Sequence, residues 1–243
     1  FMYLNLSFIF ALTSVFSSDI PSGKFIIEKS IEFHDPNDNW SNLQAHLEFT
    51  ETRLGSSDRH TSIEIDNIRG NFCLNREVKK MHVQRHIKLD SCFYNIDEYE
   101  QLTGKEFEQY KLNDERSFFM RNYYLYLWGL PMKLTDNGTQ VEEKAKLTKF
   151  DDKEAYEVKI TYDAKIGSDL WFFYFNPKNY AMIGYRFYHN LEKGDGEYIL
   201  LEGSELIFGL NIPKSRSWYT HKDSTLLGTD ILTSFQELNH AHY

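Results

Sequence analysis

Leu43-Gln44-Ala45-His46-Leu47-Glu48-Phe49-Thr50 alternates apolar and polar residues without a break. Successive side chains of an extended chain point to opposite faces, so Leu43, Ala45, Leu47 and Phe49 share one face. An extended segment with one apolar and one polar face belongs to an antiparallel sheet packed on one side. The period of two returns along the chain. Ile63 and Ile65 alternate with Ser62, Glu64 and Asp66, and Met81, Val83, Ile87 and Leu89 share a face. Tyr156, Val158, Ile160 and Tyr162 alternate with Glu157, Lys159 and Thr161. Turn-forming residues separate these runs, at Gly55-Ser56-Ser57-Asp58, at 67–70, at Asn176-Pro177-Lys178-Asn179 and at 192–196. Short strands at regular spacing predict a meander, sandwich or barrel.

Further strands are predicted at 71–76, 180–189, 197–208, 212–220 and 226–235. The run Leu170–Phe175 is apolar on both faces, which predicts a central strand covered on both sides. Two segments read as helices. In residues 24–34, Phe25, Ile27, Ile31 and His34 form a stripe, and Asp35-Pro36 ends it. From Asn113, a capping residue, Asp114 and Glu115 suit a helix start. Phe118, Phe119, Tyr123, Tyr126 and Leu130 follow, and Gly129 and Pro131 mark the stop. That helix is aromatic around most of its circumference, so it is expected to be covered. Residues 97–112 read as polar and irregular. The fold class is therefore mainly β with some helix (α+β). It is a curved antiparallel sheet or incomplete β-barrel of about 11–12 strands. The sheet wraps around an N-terminal helix and a central aromatic helix.

Residues 4–16 are apolar or small and uncharged, with Ser17 and Ser18 behind them. That is the core and cleavage pattern of a secretory signal peptide. We expect residues 1–18 to be removed on export and 19–243 to form a single domain, as no linker or repeat divides them. The net charge of −9 repels phosphate backbones and argues against a general nucleic-acid binder.

Candidate chemistry is sparse. His34-Asp35 with Trp40 could be a histidine oriented by a carboxylate, or a helix end with an Asx-Pro turn. His82 and His86 would suit zinc on a helix, but on a strand they sit about 13 Å apart. Gly-x-Ser-x-Gly and phosphate-loop motifs are missing. No catalytic residue, metal site or cofactor is expected. Asn137-Gly138-Thr139 fits a glycosylation acceptor or a turn. Cys73 and Cys92, the only cysteines, are expected in neighbouring strands, as a disulfide or as two free thiols. The aromatic surplus, 16 Tyr and 19 Phe, fits either a packed core or a groove for an apolar ligand.

Several blocks occur in a fixed order. They are His34-Asp35-Pro36 with Trp40, residues 122–134 around Asn122-Tyr123-Tyr124 and Gly129-Leu130-Pro131, and Thr161-Tyr162-Asp163. Trp171-Phe172-Phe173-Tyr174-Phe175, residues 195–201 and Leu227-Gly228-Thr229-Asp230 follow. Together they resemble an uncharacterised family of exported proteins from Bacteroidota, similar in outline to periplasmic lipoprotein carriers of the LolA/LolB type. The resemblance implies a half-barrel with an apolar cavity between sheet and helices. It implies no activity. From the cavity and the aromatic surplus we expect a monomeric protein of the periplasm, peripheral to the outer membrane, that binds a hydrophobic moiety such as a lipid or acyl chain. Phe25, Ile31, Tyr123, Tyr126, Trp171, Phe173 and Trp218 are expected to line that cavity, and Arg121 or Tyr124 to meet a polar head group. A non-enzymatic scaffold module with a packed aromatic core is the alternative, and a hydrolase using His34 and Asp35 the third reading.

Overall fold

The computed structural model describes residues 20–238 except 79 and 98. The expected leader, 1–18, lies outside the described residues. Helix α1 (Gly23–His34) comes first. Five strands follow: β1 (Gln44–Glu51), β2 (Arg59–Asp66), β3 (Asn71–Val78), β4 (Met81–Lys88) and β5 (Ser91–Ile96). Helices α2 (Gly104–Gln109) and α3 (Asp114–Trp128) lead to β6 (Thr139–Val141), β7 (Lys146–Phe150), β8 (Lys153–Tyr162) and β9 (Leu170–Phe175). The chain continues through β10 (Met182–Asn190), β11 (Asp195–Glu202), β12 (Glu205–Ile207), β13 (Leu210–Ile212), β14 (Ser215–Thr220) and β15 (Leu226–Glu237).

Thirteen of these strands form one antiparallel sheet in the order β5-β4-β3-β2-β1-β15-β14-β11-β10-β9-β8-β6, with β7 also on β8. The last strand, β15, joins the first, from Ala45↔Glu237 to Glu51↔Asp230, and so fuses two meanders. The edges β5 and β6/β7 do not meet, so the barrel stays open. Its concave face carries the predicted alternation: Ala45 stands opposite Ile65, Ile65 opposite Phe72 and Phe72 opposite Ile87, all buried in the core. The strand predicted to be covered on both faces, β9, buries Phe173 and Phe175 inward and stacks Tyr174 on Phe150 outward, 4.0 Å between centroids.

The two longer helices lie in the concavity. Asn113 caps α3 through its side chain, and Gly129 ends it. Trp128 of α3 meets Phe49 at 4.2 Å. Arg216 of β14, fully buried, lies 3.6 Å over the Trp128 ring and donates to the carbonyls of Leu127 and Pro213. A cation is tolerated there because the ring face and carbonyls replace its hydration.

Helix α1 is capped by Ser22. Its buried face is Ile26, Ile27, Ser30 and His34, so the expected stripe is rotated by one residue and Phe25 is exposed. His34 Nδ1–H donates to the Asn211 carbonyl (2.5 Å) and Nε2 accepts from Met182 N–H (3.0 Å). Asp35 accepts from the amides of Asn39 and Trp40. The pair therefore closes a helix end onto the sheet.

Three elements depart from the sequence reading. Helix α2 falls inside the supposedly irregular stretch, held by reciprocal Thr103–Glu106 capping; six residues are too few to show a period. The strand expected at 197–208 breaks at Gly203, which has φ +67°, and a separate β12–β13 hairpin follows. The cysteines are not on neighbouring strands. Strand β4 lies between them, with Cys73 opposite His86 and Cys92 opposite Ile87. Adjacent rows point to opposite faces, so the thiols project away from each other and both are free.

Two outcomes follow. A reducing agent should leave the melting temperature unchanged, and alkylation of unreduced, denatured protein should label both thiols. Labelling of none would show a disulfide. Burial pushes the His34 imidazole from its ordinary 6.5 down to about 4. Its stabilising contribution is thus complete above pH 6.5 and is lost as pH falls through 4. His34→Gln should flatten the pH dependence of urea midpoints in that window; an unchanged slope would exclude this role.

Candidate functional site

Helix α3 does not settle flat on the sheet. Between them opens a cleft of about 1020 Å³. On the helix side, Phe119, Tyr123 and Tyr126 recur at helical spacing and face it. On the sheet side one cross-strand row supplies Trp171, Phe187 and Glu197, and the next supplies Trp218 and Gly228. Residues of the loop 163–169 and of 133–139 complete the lining, with Ile166 largely exposed and Gly167 beside it.

The rings form a continuous lining. Trp171 meets Phe187 at 4.8 Å and Tyr126 at 5.8 Å, while Phe119, Tyr123 and Trp218 stack in series at 6.3 and 6.4 Å. The Tyr126 and Tyr162 hydroxyls share a hydrogen bond of 2.5 Å, which ties α3 to the end of β8. Burial raises both phenols, so they stay neutral. Gly228, opposite Trp218, admits a close approach: a Cβ there would run into the Thr52 carbonyl and the Arg53 side chain.

One wall is charged. Arg53 pairs with Asp230 at 2.6 Å and approaches Glu51 at 3.7 Å. Asp230 accepts from the Trp218 indole N–H at 3.0 Å, which fixes that ring's orientation. Burial raises the Asp230 carboxyl, and Arg53 acts against that rise. Behind it, Glu51 accepts from Arg59 (2.7 Å), Arg76 (3.2 Å), Thr61 (2.6 Å) and the Tyr124 hydroxyl (2.8 Å). Burial opposes the Glu51 charge, but Arg76 and Arg59 prevail and hold its pKa near 2, below the ordinary 4.5. At the opening His189 pairs with Asp169 at 2.8 Å, which raises the imidazole.

Of the residues expected to line a cavity, Tyr123, Tyr126, Trp171 and Trp218 lie on the cleft surface. Phe173 lies buried behind Trp171, 6.0 Å between rings. Phe25 and Ile31 sit on α1, outside the lining, with Phe25 edge-on to Tyr180. Of the head-group candidates, Tyr124 points into the Glu51 cluster and Arg121 lies outside over Phe118, donating to the Leu89 carbonyl. Neither lines the cleft. His34, Asp35 and Trp40 lie outside it too. Sequence reasoning passed over Arg53, Glu51 and Asp230. Asp230 lies far in sequence from Glu51 and Arg53 and joins them only through the β1–β15 pairing; the one local signal was acidic residues at apolar-phase positions.

A wide, open, antiparallel half-barrel with helices in its concavity and an aromatic cleft beneath one of them defines the class. The chain belongs to a family of unknown function, DUF6503, matched over residues 2–234. Among solved structures it is similar to a LolA superfamily protein from Nitrosomonas europaea, at 12% identity and a TM-score of 0.55, covering 90% of this chain and 95% of that one. It is also similar to a domain named as an outer membrane lipoprotein-sorting protein from Vibrio parahaemolyticus, at 9% identity and a TM-score of 0.53, covering 90% and 93%. These likenesses establish the LolA-like fold. No curated protein matches the sequence. Among the described residues no helix is long and apolar enough to cross a membrane.

Replacing Glu51 by Gln leaves Arg59 and Arg76 facing a neutral amide, while Arg53 keeps Asp230; this should cost about 3–5 kcal/mol. The carboxylate's contribution is present above pH 4.5 and lost as pH falls through 2, because its folded-state pKa is depressed. Urea titrations of both proteins check this. A loss under about 1 kcal/mol would mean that the cluster is not stabilising.

Proposed function

We propose that this protein binds a hydrophobic ligand, a lipid or acyl chain, in the cleft between α3 and the sheet, as a non-enzymatic carrier-like protein of the periplasm or outer envelope. The observation that carries this reading is an open cleft of about 1020 Å³ walled by seven Phe, Tyr and Trp side chains. That is the size and lining of small-molecule pockets. Each methylene buried there contributes about 0.8 kcal/mol, so a medium acyl chain reaches useful affinity. The lipoprotein-sorting name of one structural neighbour supports the same ligand class. The expected signal peptide supports an envelope location.

The scaffold alternative predicts a filled core, and the cleft counts against it. The hydrolase reading needs His34 and Asp35 to converge with a third group in a cleft. Instead His34 contacts Asn211 and Met182, and Asp35 contacts Asn39 and Trp40.

Gly167 lines the cleft, and a Cβ there meets nothing within 4 Å. Gly167→Trp should therefore fold normally, fill the opening and weaken a fluorescent fatty-acid probe by about tenfold or more. Probe binding should also quench Trp171 and Trp218. If wild-type protein neither binds the probe nor carries lipid in native mass spectrometry, the proposal fails.

A further inference from the structure

The convex face of the sheet is not uniform. Across β1 to β4 its central row reads His46, Glu64, Cys73 and His86, small or polar side chains with no Phe, Tyr or Trp among them. Across β9, β10, β11 and β14 the row reads Phe172, Arg186, Tyr198 and Tyr219, each opposite the next. Beside it Tyr188 and His221 stack at 4.2 Å and 5°, and Tyr198 stacks on Tyr219 at 5.0 Å and 10°. All six are half-buried, on the face turned away from the cleft. Water-facing strand positions are ordinarily polar, so the patch calls for an occupant.

Its chemistry selects an anion. Rings stacked upright on a sheet present their edges, where the quadrupole is positive, and the tyrosines add hydroxyl donors. Arg186 stands at the centre, 5.0 Å from the Tyr174 centroid and 5.3 Å from Phe150. Among the described residues no carboxylate or carbonyl bonds its guanidinium, and its buried Nε has no hydrogen-bond partner. Glu157 does not serve it: that carboxylate accepts from Tyr174 and lies 3.9 Å from Lys146. The patch row holds no acidic residue, in a chain of net charge −9.

We propose that this convex face docks an acidic protein segment, with one partner carboxylate taken by the Arg186 guanidinium. Tyrosine and arginine in this density are the composition of protein-binding hot spots. A guanidinium backed by rings and short of an acceptor is built for bidentate carboxylate pairing. A phosphate-rich surface would call for several cations, and the row has one. The site is separate from the cleft, so both can be occupied together.

The test is fluorescence anisotropy of a labelled hexaglutamate peptide with the full chain, at low salt. Saturable binding is expected, weakened by about tenfold in Arg186→Gln and in Tyr219→Ser. Any hexalysine binding, drawn by the net charge of −9, should be unchanged in Arg186→Gln. Circular dichroism melts separate lost binding from lost folding, and should either variant fail to fold, the other carries the reading. Absence of hexaglutamate binding to wild-type protein overturns the proposal. So does undiminished binding by a folded variant. Arg186-dependent binding to phosphatidylglycerol vesicles without peptide binding would instead assign the face to a lipid surface and equally overturn it.

Discussion

Glu51 is the carboxylate on which three strands and a helix converge. It ends β1, takes Arg59 and Thr61 from β2 and Arg76 from β3, and accepts the Tyr124 hydroxyl from α3. Removing a charge from water is costly, and the cost is offset only when its lone pairs are filled by charged donors. Here they are filled. The same carboxylate sits opposite Asp230 on β15 and near Arg53, so its geometry passes to the Trp218 indole. The position of α3 and the orientation of one cleft wall thus depend on one buried ionic cluster.

That dependence explains why the concavity is not simply filled. Helix α3 is pinned at three polar points: Tyr124 to Glu51, Tyr126 to Tyr162, and the Leu127 carbonyl to Arg216. These anchors are directional, whereas apolar packing alone would draw helix and sheet together wherever surface can be buried. Between the anchors the large rings meet edge to face or offset and leave space. Gly228 lets the Thr52 carbonyl and Arg53 approach β15 closely. Among the described residues the sheet edges β5 and β6/β7 do not pair, so the half-barrel stays open.

The two faces of the sheet divide the work differently along its length. In β1 to β5 the concave face carries the apolar core together with the Glu51 ionic cluster, and the convex face is mostly polar. In β9 and β10 both faces carry rings, with Phe173 and Tyr185 inward and Tyr174 and Tyr188 outward. The strand apolar on both faces in sequence is therefore the place where the cleft and the convex patch stand back to back.

The sequence by itself determined the class of fold, most of the strands, the ends of α3 and four of the rings in the cleft. These are local: period-two alternation, an Asn cap, a Gly-Leu-Pro stop and aromatic density are each written in a few consecutive residues. Tertiary structure alone decided the rest. The phase of α1 depended on a small residue, Ser30, fitting where periodicity favoured Phe25 and Ile31. The separation of Cys73 from Cys92 depended on register, since adjacent residues of a strand face opposite ways. The ionic cluster depended on β15 pairing with β1, a contact between residues nearly two hundred positions apart. Alternation tells which residues face inward, but not which distant residues they face, because that is set by strand order and by the free energy of pairing charges away from water.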